Sequence, residues 1–308
     1  MLLATVLCLF ACSMKIVSGA DWCYQSEVSC NYTCRGPEVW AAVSEHCSGR
    51  LQSPVNIITR KMVLDERLTS FELIGYQETF HGRLTNNGHT VQLDLPDSIR
   101  IKGGNLPTTY KALQLHLHWG KNGGPGSEHT IDGERFPMEM HIVHIKEEYD
   151  SLSQAARDRT GVAVLGFFFQ ESQSPNKKFD PLINALKYIT EPNNSTTLTG
   201  VSVEKFIPPR ENMTNYFRYD GSLTTPNCAE AVVWSVFEST IPLSRDQLTA
   251  FSQLEYPDGK QMVDTYRPVQ PLNGRLVYYS GGHVALVSTV LLVMSVLVSS
   301  ALSLQTTG

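Results

Sequence analysis

The chain has 308 residues, 42% of them hydrophobic and 18% charged. That is the composition of an ordinary globular protein, long enough for one large domain with a substantial core. Its net charge is −5, with no long basic run, which argues against a nucleic-acid partner.

Taken in order, the chain opens with an apolar stretch over residues 2–11, followed by the small residues Ser18-Gly19-Ala20. Residues 1–20 read as a secretory signal peptide, with the mature chain starting near Asp21. Its removal leaves Cys23, Cys30, Cys34, Cys47 and Cys228 in an oxidising compartment, where disulfides form. Glycosylation sequons at Asn31, Asn193, Asn194 and Asn212 fit that route. Short β-rich runs then alternate with Gly, Pro and Asn turns at 89–95, 112–119, 138–146, 161–169 and 231–237. Helical patterns are few, at 151–157, 181–189 and 244–254. The alternation predicts a mainly β, α+β single domain over residues 21–280. Residues 284–304 then run for 21 positions without a charge. A helix of that length spans roughly 30 Å, a bilayer core. No Lys or Arg follows it, and Ser280-Gly281-Gly282 precede it. Residues 281–308 therefore read as a glycosylphosphatidylinositol-attachment signal, removed after lipidation at Ser280, in preference to a transmembrane anchor.

The run at 112–119 holds His116 and His118. A strand sends alternate side chains to one face, so these two imidazoles point the same way, and Leu115, Leu117 and Trp119 the other. The Gly-rich stretch 120–126 lets the run at 138–146 fold back antiparallel, which brings His141 beside them. Three neutral imidazoles with an open fourth position are a catalytic zinc arrangement, whereas structural sites are usually closed by four ligands. Spacing alone leaves the reading as ordinary core or surface histidines equally open. Gln114 and Glu139 each lie two residues before a histidine, on its face. Metal-bound histidines usually give their other ring N–H to such an oxygen, and a strand glutamate is costly to bury otherwise.

From about Trp22 to Tyr279 the chain resembles the α-class carbonic anhydrases. The resemblance rests on Gln52-Ser53-Pro54-Val55-Asn56-Ile57, Asn86-Asn87-Gly88-His89, Gln114-Leu115-His116-Leu117-His118-Trp119-Gly120 and Gly126-Ser127-Glu128-His129-Thr130. It continues through Glu139-Met140-His141-Ile142-Val143-His144, Ala163-Val164-Leu165-Gly166, Gly221-Ser222-Leu223-Thr224-Thr225-Pro226 and Arg267-Pro268-Val269-Gln270-Pro271. It implies one large twisted, mostly antiparallel central sheet, and Zn2+ held by His116, His118 and His141 with water or hydroxide as fourth ligand. That hydroxide attacks carbon dioxide and gives bicarbonate.

By the same resemblance, Thr224 accepts a hydrogen bond from the nucleophile and donates one from its hydroxyl to Glu128, an orienting relay. Val143, Val164, Leu223, Val232 and Trp234 form an apolar substrate wall, with Thr224 and Thr225 at its edge. His89 is the proton shuttle, and Asn87, Gln92 and Tyr24 order the intervening waters. Asn227 and Tyr266 depart from common family residues without removing a catalytic group. The membrane-anchored type IV members have similar cysteines, which implies bridges Cys23–Cys34 and Cys47–Cys228, with Cys30 unassigned. The expectation is a monomeric enzyme on the outer cell surface, with bicarbonate transporters as candidate partners. Two alternatives compete: a catalytically silent binding module of the same fold, and a structural zinc protein. Retention of all three histidines, Glu128 and Thr224 weighs against both.

Overall fold

The computed structural model describes residues 22–28 and 34–281. The expected signal peptide, Cys30, Asn31 and the apolar C-terminal segment lie outside the described residues. Eight strands carry the architecture: β1 (Phe80–Asn86), β2 (Val91–Asp94), β3 (Tyr110–Trp119), β4 (Met138–Lys146), β5 (Val162–Ser172), β6 (Ser195–Val201), β7 (Tyr216–Gly221) and β8 (Val232–Ser244). They lie in the order β6-β1-β2-β3-β4-β5-β8-β7 within a twelve-stranded sheet. All neighbours on this path are antiparallel except β5 and β8. The sheet is therefore mixed but mostly antiparallel, as expected. Beyond β7 it continues through Tyr278–Tyr279 to Val63–Leu64.

The expected strands are present, with shifted ends. The last runs past 237 to Ser244, because β5 keeps pairing with it beyond a bulge, Ser172 opposite Ser244. The helices are shorter than their patterns: Leu152–Ala155, Asp180–Ala185 and Arg245–Ala250, the last two continuing as 3-10 turns. The third starts at a capping box, with Ser244 and Gln247 bonding each other's backbone N–H groups.

Both faces of the central strands are covered. Leu115, Leu117, Trp119, Met140, Ile142 and Phe167 are buried on one side. Val143, Val164, Val232, Trp234 and Tyr219 are buried on the other. Fully burying one such aliphatic or Phe side chain stabilises the fold by about 1.5–3 kcal/mol. The sheet is thus a rigid platform, and the second face carries the polar groups described below. Disulfides join Cys23 to Cys34 and Cys47 to Cys228, the expected pairing. Among the described residues no helix is long and apolar enough to cross a membrane.

Candidate metal centre

β3 and β4 pair so that His141 stands opposite His116, and Glu139 opposite His118. Alternation then places Gln114, His116 and His118 beside Glu139 and His141 on one face. Three ring nitrogens converge there. His141 Nδ1 lies 3.1 Å from His118 Nε2 and 3.3 Å from His116 Nε2. Each outer nitrogen has its own acceptor: Gln114 Oε1 at 2.9 Å for His116, the Thr265 carbonyl at 2.6 Å for His118, and Glu139 Oε1 at 2.7 Å for His141. The ring protons therefore sit outward, and three lone pairs face one another. Burial, then the neighbouring imidazoles, holds His116 well below the ordinary histidine range. Burial also lowers His118. Both are neutral imidazoles, the form that binds a metal.

Facing lone pairs repel unless a cation lies between them. Nitrogens about 2.0–2.1 Å from one tetrahedral ion stand roughly 3.3–3.4 Å apart. The separations seen here fit such an ion, and the donor set fits zinc.

Glu139 ties the next layer together. Its Oε1 also accepts from His129 Nδ1 at 2.6 Å, and its Oε2 accepts the backbone N–H groups of Glu128 and His129. Burial alone would raise this carboxyl, but His129 and His141 hold it well below the usual carboxylate range. The Tyr219 hydroxyl donates to Ser53 Oγ at 2.9 Å and lies 2.6 Å from His129 Nε2. Gly166 stands opposite His141 on β5. A Cβ there would come within 3.3 Å of Glu139 Oε1, so the absent side chain leaves the carboxylate its place.

The other expected residues fall around this centre. Glu128 is fully buried, its Oε1 accepting from the Arg267 backbone N–H at 2.8 Å. Its Oε2 lies 3.4 Å from His118 Nε2 and has no hydrogen-bond partner. The expected bond from the Thr224 hydroxyl is therefore not formed, although Thr224 is buried as well. The turn after Thr224 closes through Cys228 N–H to Thr225 O at 2.8 Å, with Asn227 and Cys228 both at positive φ. Val143, Val164 and Trp234 stand in register across β4, β5 and β8. With Val232 they form a buried wall, and Leu223 packs against it. The Trp234 ring centroid lies 4.8 Å from that of His141.

His89, expected as the proton shuttle, is half-buried at the rim of this face. It stacks on Trp22 with ring centroids 3.8 Å apart, and its Nδ1 is buried without a partner. Burial pushes its pKa down to about 4. Trp22 is held by packing on Tyr24 and Trp40, next to the Cys23–Cys34 bridge. Asn87 Oδ1 accepts the backbone N–H groups of His89 and Thr90, while Gln92 Nε2 donates to Asp94. Asn193, Asn194 and Asn212 are exposed. Ser280 is buried at 3% exposure, its hydroxyl accepting from Tyr216 N–H and donating to the Thr214 carbonyl.

Sequence reasoning passed over several residues that complete the site. The Thr265 carbonyl, Tyr219 and Trp22 arrive from distant segments, and no local spacing announces them. His129 stood inside a quoted motif next to Glu128, but its bond to Glu139 depends on how 126–130 folds over β4.

The eukaryotic-type carbonic anhydrase family profile matches residues 35–281. Carbonic anhydrase 4 of Oryctolagus cuniculus is 44% identical over 262 residues, 84% of this chain and 84% of that protein. Carbonic anhydrase 4 of Rattus norvegicus is 41% identical, covering 85% of each chain. Carbonic anhydrase 12 of Homo sapiens is 35% identical over 93% of this chain and 80% of its own length. With a match over most of its length and a histidine tripod on its central sheet, the chain belongs to the carbonic anhydrase family and is a lyase that interconverts carbon dioxide and bicarbonate.

Proposed function

We propose that the chain catalyses this reaction as a zinc enzyme at the outer cell surface, with His116, His118 and His141 holding the metal. The observation that carries the reading is the tripod itself: three converging ring nitrogens, two of them 3.1 and 3.3 Å from the third, each ring backed by its own acceptor. Bound zinc supplies a water whose pKa falls from 15.7 to about 7, so that a nucleophile exists at neutral pH. The remaining work belongs to the chain. Gln114, the Thr265 carbonyl and Glu139 keep the ring protons outward and the donor nitrogens aimed inward. Val143, Val164, Val232 and Trp234 give an apolar, water-poor surface suited to carbon dioxide, and Leu223, Thr224 and Thr225 border it. Thr224 and Glu128 orient the nucleophile once the Thr224 hydroxyl turns toward the free Glu128 Oε2.

His89 carries the released proton outward. While stacked on Trp22 it is a neutral base with a pKa of about 4. To hold a proton near neutral pH the ring must leave that stack for water, where an ordinary histidine titrates near 6.5. The shuttle therefore alternates between a stacked neutral pose and a solvated charged one.

The signal peptide, two disulfides and exposed sequons support passage through the secretory route. The apolar C-terminal segment supports a lipid anchor. Phosphatidylinositol-specific phospholipase C should release the protein from cells; retention there, with release by detergent, would favour a transmembrane anchor. The catalytic reading is tested by stopped-flow carbon dioxide hydration and zinc analysis on one sample, before and after chelation and after zinc is restored. Activity should follow zinc content; full hydration by zinc-free protein would overturn the assignment.

A further inference from the structure

On the reverse face of the sheet, behind β7 and β8, lies a cavity of about 440 Å³ that the catalytic reading does not use. Arg67, Arg218 and Arg275 line it, together with Asp65 and Asp220. Arg218 is the unusual member. It sits on β7 opposite Ser235 and is only 7% exposed. Its Nε and Nη2 both donate to one acceptor, Ser235 Oγ, at 3.1 and 3.0 Å. Its Nη1 has no partner, and no carboxylate forms an ion pair with it among the described residues. The rings of Tyr216 and Phe71 flank the guanidinium, at 5.6 and 5.9 Å.

The neighbouring acids Asp65 and Asp220 favour its charge through space, but neither bonds to it. Asp65 is committed to Arg67 through two bonds of 2.9 and 2.8 Å. Asp220 is exposed to solvent. Arg275 spends its donors on the carbonyls of Gln52, Asp220, Pro271 and Leu272, so its charge too lacks a carboxylate partner. A buried guanidinium stays charged at neutral pH, and a buried charge with no bonded counter-charge is costly. An anion reaching it through the cavity would relieve that cost and gain charge-assisted hydrogen bonds in the guanidinium plane.

We propose that this cavity is a binding site for a small oxyanion group, phosphate or carboxylate, held by the Nη1 of Arg218 beside Arg275, whose charge has no bonded carboxylate. The site lies behind the strand pair that carries Tyr219 and Trp234 to the metal centre on the opposite face.

The test is thermal unfolding of the intact zinc-loaded protein at constant ionic strength, with inorganic phosphate in one arm and acetate in the other. Wild type should show a saturable rise in midpoint. Arg218→Met should bind roughly tenfold more weakly or worse, the value of a lost charged hydrogen bond. Ser235→Ala frees two more donors, so it should bind at least as tightly as wild type and serves if the Met variant does not fold. Carbon dioxide hydration, and any inhibition of it by phosphate, should be unchanged in both variants, which separates this site from the metal centre. A saturable rise with phosphate alone assigns a phosphate group, and one with acetate assigns a carboxylate. No saturable rise in wild type, an equal rise in Arg218→Met, or weaker binding in Ser235→Ala would overturn the proposal.

Discussion

The metal centre and the His89 rim hold histidines in opposite ways. At the centre, each imidazole is fixed on a strand and its outer nitrogen is bonded to a named oxygen. At the rim, His89 is held by a ring face, with a buried nitrogen that bonds nothing. Hydrogen bonds fix a tautomer and a direction; a stacking contact worth about 0.5–1.5 kcal/mol can be broken in each cycle. A ligand needs the first and a proton carrier the second. On the proposed reading, one fold gives one residue type two jobs.

The harshest way to break the comparison is His116→Ala. Losing one of three ligands should abolish zinc retention and cut kcat/KM by a thousandfold or more, about 4 kcal/mol of transition-state stabilisation. Rates near wild type would mean that the tripod is not the catalytic metal site.

Acid sharpens it next. His144, on the back of β4, is fully buried between the Tyr76 hydroxyl and the Ala163 carbonyl, and burial lowers its pKa to about 4. Its unfolded value is near 6.5, so the unfolded chain binds the proton more readily. Its contribution is complete above about pH 6.5 and fades as pH falls toward 4, by up to about 3 kcal/mol. His89 has a similar depressed value but can leave its stack when protonated, so Trp22→Ala should leave the acid unfolding profile nearly unchanged. A flat stability between pH 6.5 and 4 in denaturant titrations would contradict the His144 assignment.

Glu139→Gln tests the support of the ligands with the tripod intact. It removes the charge that holds His141 and His129, and should weaken zinc binding by about 10–100-fold, read as faster loss to a chelator. Unchanged zinc loss would show that His141 needs no anchored acceptor. The mildest test is Trp22→Ala read by histidine NMR. Freed of its stack, His89 should titrate near 6.5, above the wild-type ring, whose apparent value the stack lowers; an unmoved titration would remove Trp22 as its determinant.

The tripod was legible because strand periodicity is local: His116 and His118 share a face through spacing alone, and one antiparallel return brings His141 to them. The wall residues were legible only through family likeness, since Val143 and Val164 look like any strand core. The Thr265 carbonyl has no side-chain signature at all, because any residue there offers the same oxygen. The stacking of His89 was not legible for a related reason. The stack depends on Trp22, which a disulfide-closed segment brings back from 67 positions earlier (89 − 22). The extra length of β8 likewise depends on its register with β5, not on its own pattern.

The central claim is that three imidazoles hold one zinc. X-ray absorption at the zinc edge of the purified protein measures this directly. The account predicts about one zinc per chain with three imidazole nitrogens near 2.0–2.1 Å and one lighter oxygen ligand. Sulfur in the zinc shell, fewer than three imidazoles, or an active protein without stoichiometric zinc would contradict it.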